Sequence, residues 1–168
     1  MSKQCRAIHK LFNGIKKHSF PFNEHEIPEN GIYIFFEKGE FAHGNNRIVR
    51  VGTHTGDNNL RSRLKEHFIN EVKDRSIFRK NIGRCILNKA HDSFLKDWNL
   101  NTLIRKVRLA HPNIDVEKQQ KIEKLVTRRI RENFTFVAFQ LEDKNKRLEM
   151  ESKIISTIAS FEGTADFV

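Results

Sequence analysis

Apolar residues recur along this chain in two alternating periods. Ile8, Leu11, Phe12 and Ile15 fall at helical spacing and predict a short amphipathic helix near the start, ended by Pro21 and Pro28. The block NGIYIFFEKG, 30–39, has the β-branched and aromatic content of a strand, and RIVRVGTH, 47–54, reads as its hairpin partner after the glycine-containing loop GEFAHGNN. Leu60, Leu64 and Phe68 then repeat every four residues, one stripe of a helix. Shorter helical pieces follow in IFRKNIGRCIL and SFLKDWNL. Beyond Pro112, Asp115 stands as an N-cap for a longer helix with Ile122, Leu125, Val126 and Ile130 on one face and basic residues on the other. FTFVAFQL, 134–141, is apolar at both alternating positions, as in an inner strand covered on both sides. A last helix is predicted from about Lys144 to Ser160, followed by the tail FEGTADFV. The order helix, hairpin, helices, strand, helix predicts an α+β fold: a small three-stranded sheet, mixed or antiparallel, flanked by helices.

Length and composition set the scale of that fold. The chain has 168 residues, 38% apolar and 31% charged, which predicts one folded domain over 1–168. No apolar run approaches the ~20 residues of a membrane span. The polar start MSKQCRAIHK lacks the apolar stretch of a secretory signal, so a cytoplasmic, non-membrane protein is expected. Cys5 and Cys85 are isolated thiols without CxxC spacing, and neither a disulfide framework nor a structural zinc site is expected of them.

Charge changes the picture more. Lys and Arg number 31 against 21 Asp and Glu, a net +10, which points to a polyanionic partner. Between Asn70 and Asn133 there are 16 basic and 8 acidic residues, so +8 of the excess lies in a basic helical insertion at about 70–133. A surface of this kind neutralises phosphates without reading sequence. The candidates for positioning nucleic acid are Arg79, Lys80 and Arg84, and on the later helix Lys121, Lys124, Arg128, Arg129 and Arg131.

Two features break the polar and apolar pattern. In the last helix Leu148, Ile154, Ile155 and Ile158 form an apolar stripe, and Glu151 falls in its middle while Glu149 points away. An ionised carboxylate there is costly unless a cation, a donor or a metal meets it. In the earlier helix Arg63 and His67 are four apart and share a face. A guanidinium offers a phosphate two hydrogen bonds and a permanent charge, and a histidine can move a proton near neutrality. A third oddity is Tyr33, the one tyrosine in a chain with 14 phenylalanines.

The ordered set Gly31-Ile32-Tyr33, Arg50-Val51-Gly52, Leu60 to Phe68 with Arg63 and His67, and Glu151-Ser152-Lys153-Ile154-Ile155 resembles the GIY-YIG nuclease domain, from Gly31 to about Ser160. The resemblance implies a small sheet flanked by helices, a divalent metal (Mg2+ or Mn2+) and hydrolysis of phosphodiester bonds in double-stranded DNA, as in restriction, homing and repair enzymes. It matches Tyr33 to the first-motif tyrosine, Arg63 to the helix arginine, His67 to the histidine one turn later and Glu151 to the metal-binding glutamate.

The chain departs from the family pattern in three places. Arg50 stands where a second tyrosine is usual; a basic residue there occurs in restriction-type members, and it would hold the phosphate or lower the pKa of Tyr33. The first two motifs are also spaced more widely than usual, and no asparagine follows the glutamate. The expected chemistry is a Mg2+-dependent endonuclease of the restriction, defence or mobile-element kind, with Tyr33, Arg50, Arg63, His67 and Glu151 catalytic. The alternative is a nucleic-acid-binding module of the same fold with impaired turnover. One such site cuts one strand, so a double-strand break calls for a homodimer or two successive nicks.

Overall fold

The computed structural model describes residues 3–159. The chain divides into two compact units, one formed by the residues up to Arg63 together with those from Asn133 on, the other by Leu64–Glu132. The second unit covers most of the stretch read as a basic insertion at about 70–133 and begins six residues before it.

The first unit is built on a four-stranded sheet of order β1-β4-β2-β3, with β1 His18–Ser19, β2 Gly31–Ala42, β3 Asn45–Gly52 and β4 Phe134–Gln140. Every pairing is antiparallel. The fold class holds, with one strand more than the three expected. The extra strand is only two residues long, too short for alternation to announce it. β4 is an inner strand, as its unbroken apolar run predicts. The hairpin loop is shorter than the sequence suggested, because β2 continues to Ala42 and the turn is only His43-Gly44. Both have positive φ, 57° and 75°, the pair of left-handed residues that a type I′ turn needs.

Alternation along β2 sends Ile32, Ile34 and Phe36 to one face. There they join Phe12 from α1 (Lys3–Asn13), Ile48, Val51 and Val137 from the sheet, and Ile154 and Ile158 from α7 (Lys144–Ala159) in one apolar core. Tyr33 and Phe35 point the opposite way, where Phe35 meets Phe136 edge to face at 5.9 Å and Phe22 meets Phe136 at 5.1 Å. The sheet is therefore buried on both faces along 31–36. At the outer edge of β3, side chains of α1 replace a missing strand. Asn13 Nδ2 donates to the Asn46 carbonyl at 3.0 Å and Asn13 Oδ1 accepts from its N–H at 3.2 Å, while His9 Nε2 accepts from the Ile48 N–H at 3.4 Å. Leu11, assigned to the buried stripe from its spacing, is 62% exposed, and Cys5 and His9 take the inner face instead.

The second unit is helical, with α3 Ile77–Lys89, α4 Leu95–Asn99, α5 Arg105–Ala110 and most of α6 Val116–Asn133. Asp115 caps α6 as expected, its Oδ1 accepting from the Lys118 N–H at 2.8 Å. Ile122, Val126 and Ile130 are buried, whereas Leu125 is exposed. At the centre of the unit is an ion pair. Arg79 is wholly buried, its guanidinium donating to Glu123 Oε2, the Glu123 carbonyl, Thr127 Oγ1 and the His67 carbonyl. Trp98 lies so close to Gly83 that a Cβ there would strike the indole, and its Nε1 donates to the Lys80 carbonyl at 2.9 Å. α2, Leu60–Phe68, carries the division between the units within it, after Arg63.

Candidate active site

The sheet brings the first two motifs together. Tyr33 pairs with Gly52 across β2 and β3, and a Cβ on Gly52 would collide with the tyrosine ring and hydroxyl. The phenol can cross β3 only because that position has no side chain. Arg50 is two residues before Gly52, on the same face, and its Nε donates to the Tyr33 hydroxyl at 3.4 Å. Tyr33 itself is wholly buried. Gly31 is constrained from the other side, since a Cβ there would meet the Phe139 carbonyl of β4.

Glu151 reaches the same region from α7. Burial pushes its carboxyl above the ordinary range, while Arg50, the Thr53 N–H and Arg63 draw it back. The carboxyl is half-buried, and the same groups that oppose its protonation mark where it lies. The inward face of α7 is not quite the expected one. Leu148 and Ile155 are 39% and 45% exposed, and the buried line runs through Arg147, Glu151, Ile154 and Ile158. The anomaly of a carboxylate among apolar residues holds, but the residue one turn before it is an arginine.

That arginine belongs to a polar network that composition and spacing did not indicate. Arg147 is wholly buried and donates to the carbonyls of Leu141, Glu142 and Gly56. His54 Nε2 accepts from the Gly31 N–H at 3.3 Å, so its proton is on Nδ1, 2.7 Å from the Gly56 carbonyl. Burial lowers the His54 pKa. Asn30 donates to Asn58 Oδ1 and Glu142 Oε2, and its own Oδ1 accepts from the Asn58 N–H. Together these groups fix the connection from β3 to α2, with the Leu60 N–H bonded to the Glu29 carbonyl at 3.0 Å. The strand that carries Arg50 and the part of the helix that carries Arg63 belong to one unit.

Of the residues assigned from sequence, Tyr33, Arg50, Arg63 and Glu151 gather in the first unit. His67 falls in the second, wholly buried, with Nδ1 2.7 Å from Ser76 Oγ and its ring edge to face with Phe78. Ser76 is also the N-cap of α3, accepting from the Arg79 N–H, so His67 ties the end of α2 to the start of α3. Arg79 is a correction: it is not a surface group for DNA but the buried partner of Glu123. Lys80 is bound to Asp74 at 3.0 Å with its side chain 12% exposed. Arg84 donates to the neutral Asn81 and Asn99, and Arg131 donates through Nε to the Phe68 carbonyl. Lys121, Lys124, Arg128 and Arg129 are exposed on one side of α6, as read from the sequence.

Glu151 offers a hard oxygen donor of the kind Mg2+ takes, an ion that keeps several waters and few protein ligands. No helix among the described residues is long and apolar enough to cross a membrane. Comparison with the curated proteins and with the solved structures found no match. A family model described as the GIY-YIG domain matches residues 5–167. With the motif elements assembled in chain order on the sheet and its helices, and with that match running through nearly the whole chain, the protein belongs to the GIY-YIG domain family.

Proposed function

We propose that the protein is a metal-dependent endonuclease that hydrolyses phosphodiester bonds in double-stranded DNA. The observation that carries this reading is Glu151, a carboxylate costly to bury, within the influence of Arg50 and Arg63 and beside the strand that holds Tyr33. Hydrolysis needs a water that loses a proton, an in-line approach and donors for the charge gathering on the non-bridging oxygens. Tyr33, fixed between Gly52 and its strand neighbours, orients the attacking water through its hydroxyl. Arg50 holds that hydroxyl and faces the phosphate. Arg63 offers its planar fork to the phosphoryl oxygens. Glu151 would hold one Mg2+ or Mn2+, which when bound supplies positive charge to the phosphate and its leaving oxygen. His67, wholly buried, fixes the end of α2 on Ser76 at the start of α3. The exposed basic side of α6, with Arg84, positions the DNA backbone.

The full burial of Tyr33 favours a second reading, a nucleic-acid-binding module with impaired turnover. One experiment separates the two: supercoiled plasmid is incubated with Mg2+ and either wild type or Glu151→Gln, with EDTA as control. The endonuclease yields nicked or linear DNA from wild type alone, and EDTA abolishes it. Retardation of DNA by both proteins without product supports the binding module. Full cleavage by Glu151→Gln overturns the site.

A further inference from the structure

The cysteine spacing in the sequence offers no metal site, yet the fold builds one group of candidate ligands apart from the chemistry above. Cys5 and His9 are one helical turn apart on α1, and both are about 1% exposed. The left-handed turn at the tip of the β2–β3 hairpin brings His43 onto them. Cys5 Sγ lies 3.4 Å from His43 Nε2 and 3.7 Å from His9 Nδ1, and the three ligand atoms all fall within 4.8 Å of one another. Around a tetrahedral Zn2+, with its usual bond lengths to sulfur and imidazole nitrogen, the S–N edge is about 3.6 Å. The two sulfur–nitrogen distances bracket that value. A cavity of about 220 Å³ opens beside the three residues, lined also by Phe41, Ala42, Arg47 and Ile158, and leaves room for a fourth ligand.

We propose that Cys5, His9 and His43 bind a soft divalent cation, Zn2+ first among them, which ties α1 to the hairpin tip. One thiolate and two imidazoles favour zinc over the hard Mg2+ that suits Glu151, so the two sites differ in metal as well as in place. The proton bookkeeping is specific. His9 Nε2 accepts from the Ile48 N–H, and the ring proton is on Nδ1, 3.0 Å from the Cys5 carbonyl. Binding removes the thiol proton of Cys5 to solvent and moves the His9 proton from Nδ1 to Nε2. Nε2 then no longer accepts from Ile48.

The test is titration of EDTA-dialysed, reduced protein with Co2+ as a spectroscopic stand-in, followed by displacement with Zn2+. The expected result is one equivalent bound with thiolate-to-cobalt charge-transfer absorption, unchanged in Glu151→Gln and absent in Cys5→Ser. Because Cys5 is buried and its variant could unfold, His43→Gln at the hairpin tip is the second arm. It should weaken Zn2+ binding by at least about tenfold, as loss of one of three ligands requires. Amide exchange at Ile48 should quicken when Zn2+ is added to wild type. Cobalt binding without a thiolate band, no binding at all, or equal zinc affinity in His43→Gln overturns the proposal.

Discussion

At Glu151 the metal-holding role proposed above and the cost to stability have the same origin. Burial raises its pKa, so between the ordinary range near pH 4.5 and its raised value the folded protein holds a proton that the unfolded chain has released. Stability therefore falls as pH climbs through that window and stays lower above it. Glu151→Gln, expected to abolish cleavage, should accordingly melt at a higher temperature than wild type at pH 7.5. The gap should close below pH 4.5, and calorimetry across pH 4–8 checks it. His54 has the opposite sign. Its pKa is lowered from about 6.5 by burial, and its neutral form is what the Gly31 N–H requires. Stability is thus fully present above pH 6.5 and is lost as pH falls through the depressed value. Urea midpoints measured from pH 7.5 to 5 should decline, and His54→Gln should flatten that decline.

At the scale of elements, the reassignment of Arg79 carries its own consequence. A buried guanidinium paired with Glu123 leaves an uncompensated charge when one partner goes, at a cost of about 3–5 kcal/mol. Arg79→Met should therefore lower stability by that order in denaturant unfolding, while DNA affinity of the folded fraction stays near wild type. The sequence could not distinguish this arginine from Lys121 or Arg128, because basic residues at helical spacing look alike until their partners are known. Most elements themselves were legible: α2 and α6 from helical spacing, β2 and β3 from β-branched and aromatic content, β4 from its unbroken apolar run, and α3 and α4 as short helical pieces. β1, of two residues, and α5, which buries none of its side chains, were not. Glu151 was readable because a carboxylate in an apolar stripe stands out, Tyr33 as the one tyrosine and Arg63 by its spacing from His67, while Arg50 came only with the resemblance to the GIY-YIG domain. Thr53, His54 and Arg147 act through backbone groups, and Asn30 through Asn58 and Glu142, partners that only the folded chain brings near, and no pattern along the sequence records them.

For the whole molecule, the net charge of +10 and the exposed row Lys121, Lys124, Arg128 and Arg129 predict binding that weakens steeply with salt. Replacing the four by Gln should flatten the log K against log salt slope by up to about 0.9 for each phosphate no longer neutralised, without altering sequence preference. Fluorescence anisotropy with two unrelated duplexes over a salt series checks both halves. The helix side chains lying along β3 bear on how two copies meet. Asn13 already occupies the peptide group of Asn46, and His9 that of Ile48, in the manner of a neighbouring strand. A second molecule therefore cannot lengthen the sheet across β3 by backbone ladder without first evicting those groups. Two copies cutting opposite DNA strands would have to meet elsewhere than along β3, leaving each sheet closed at that border.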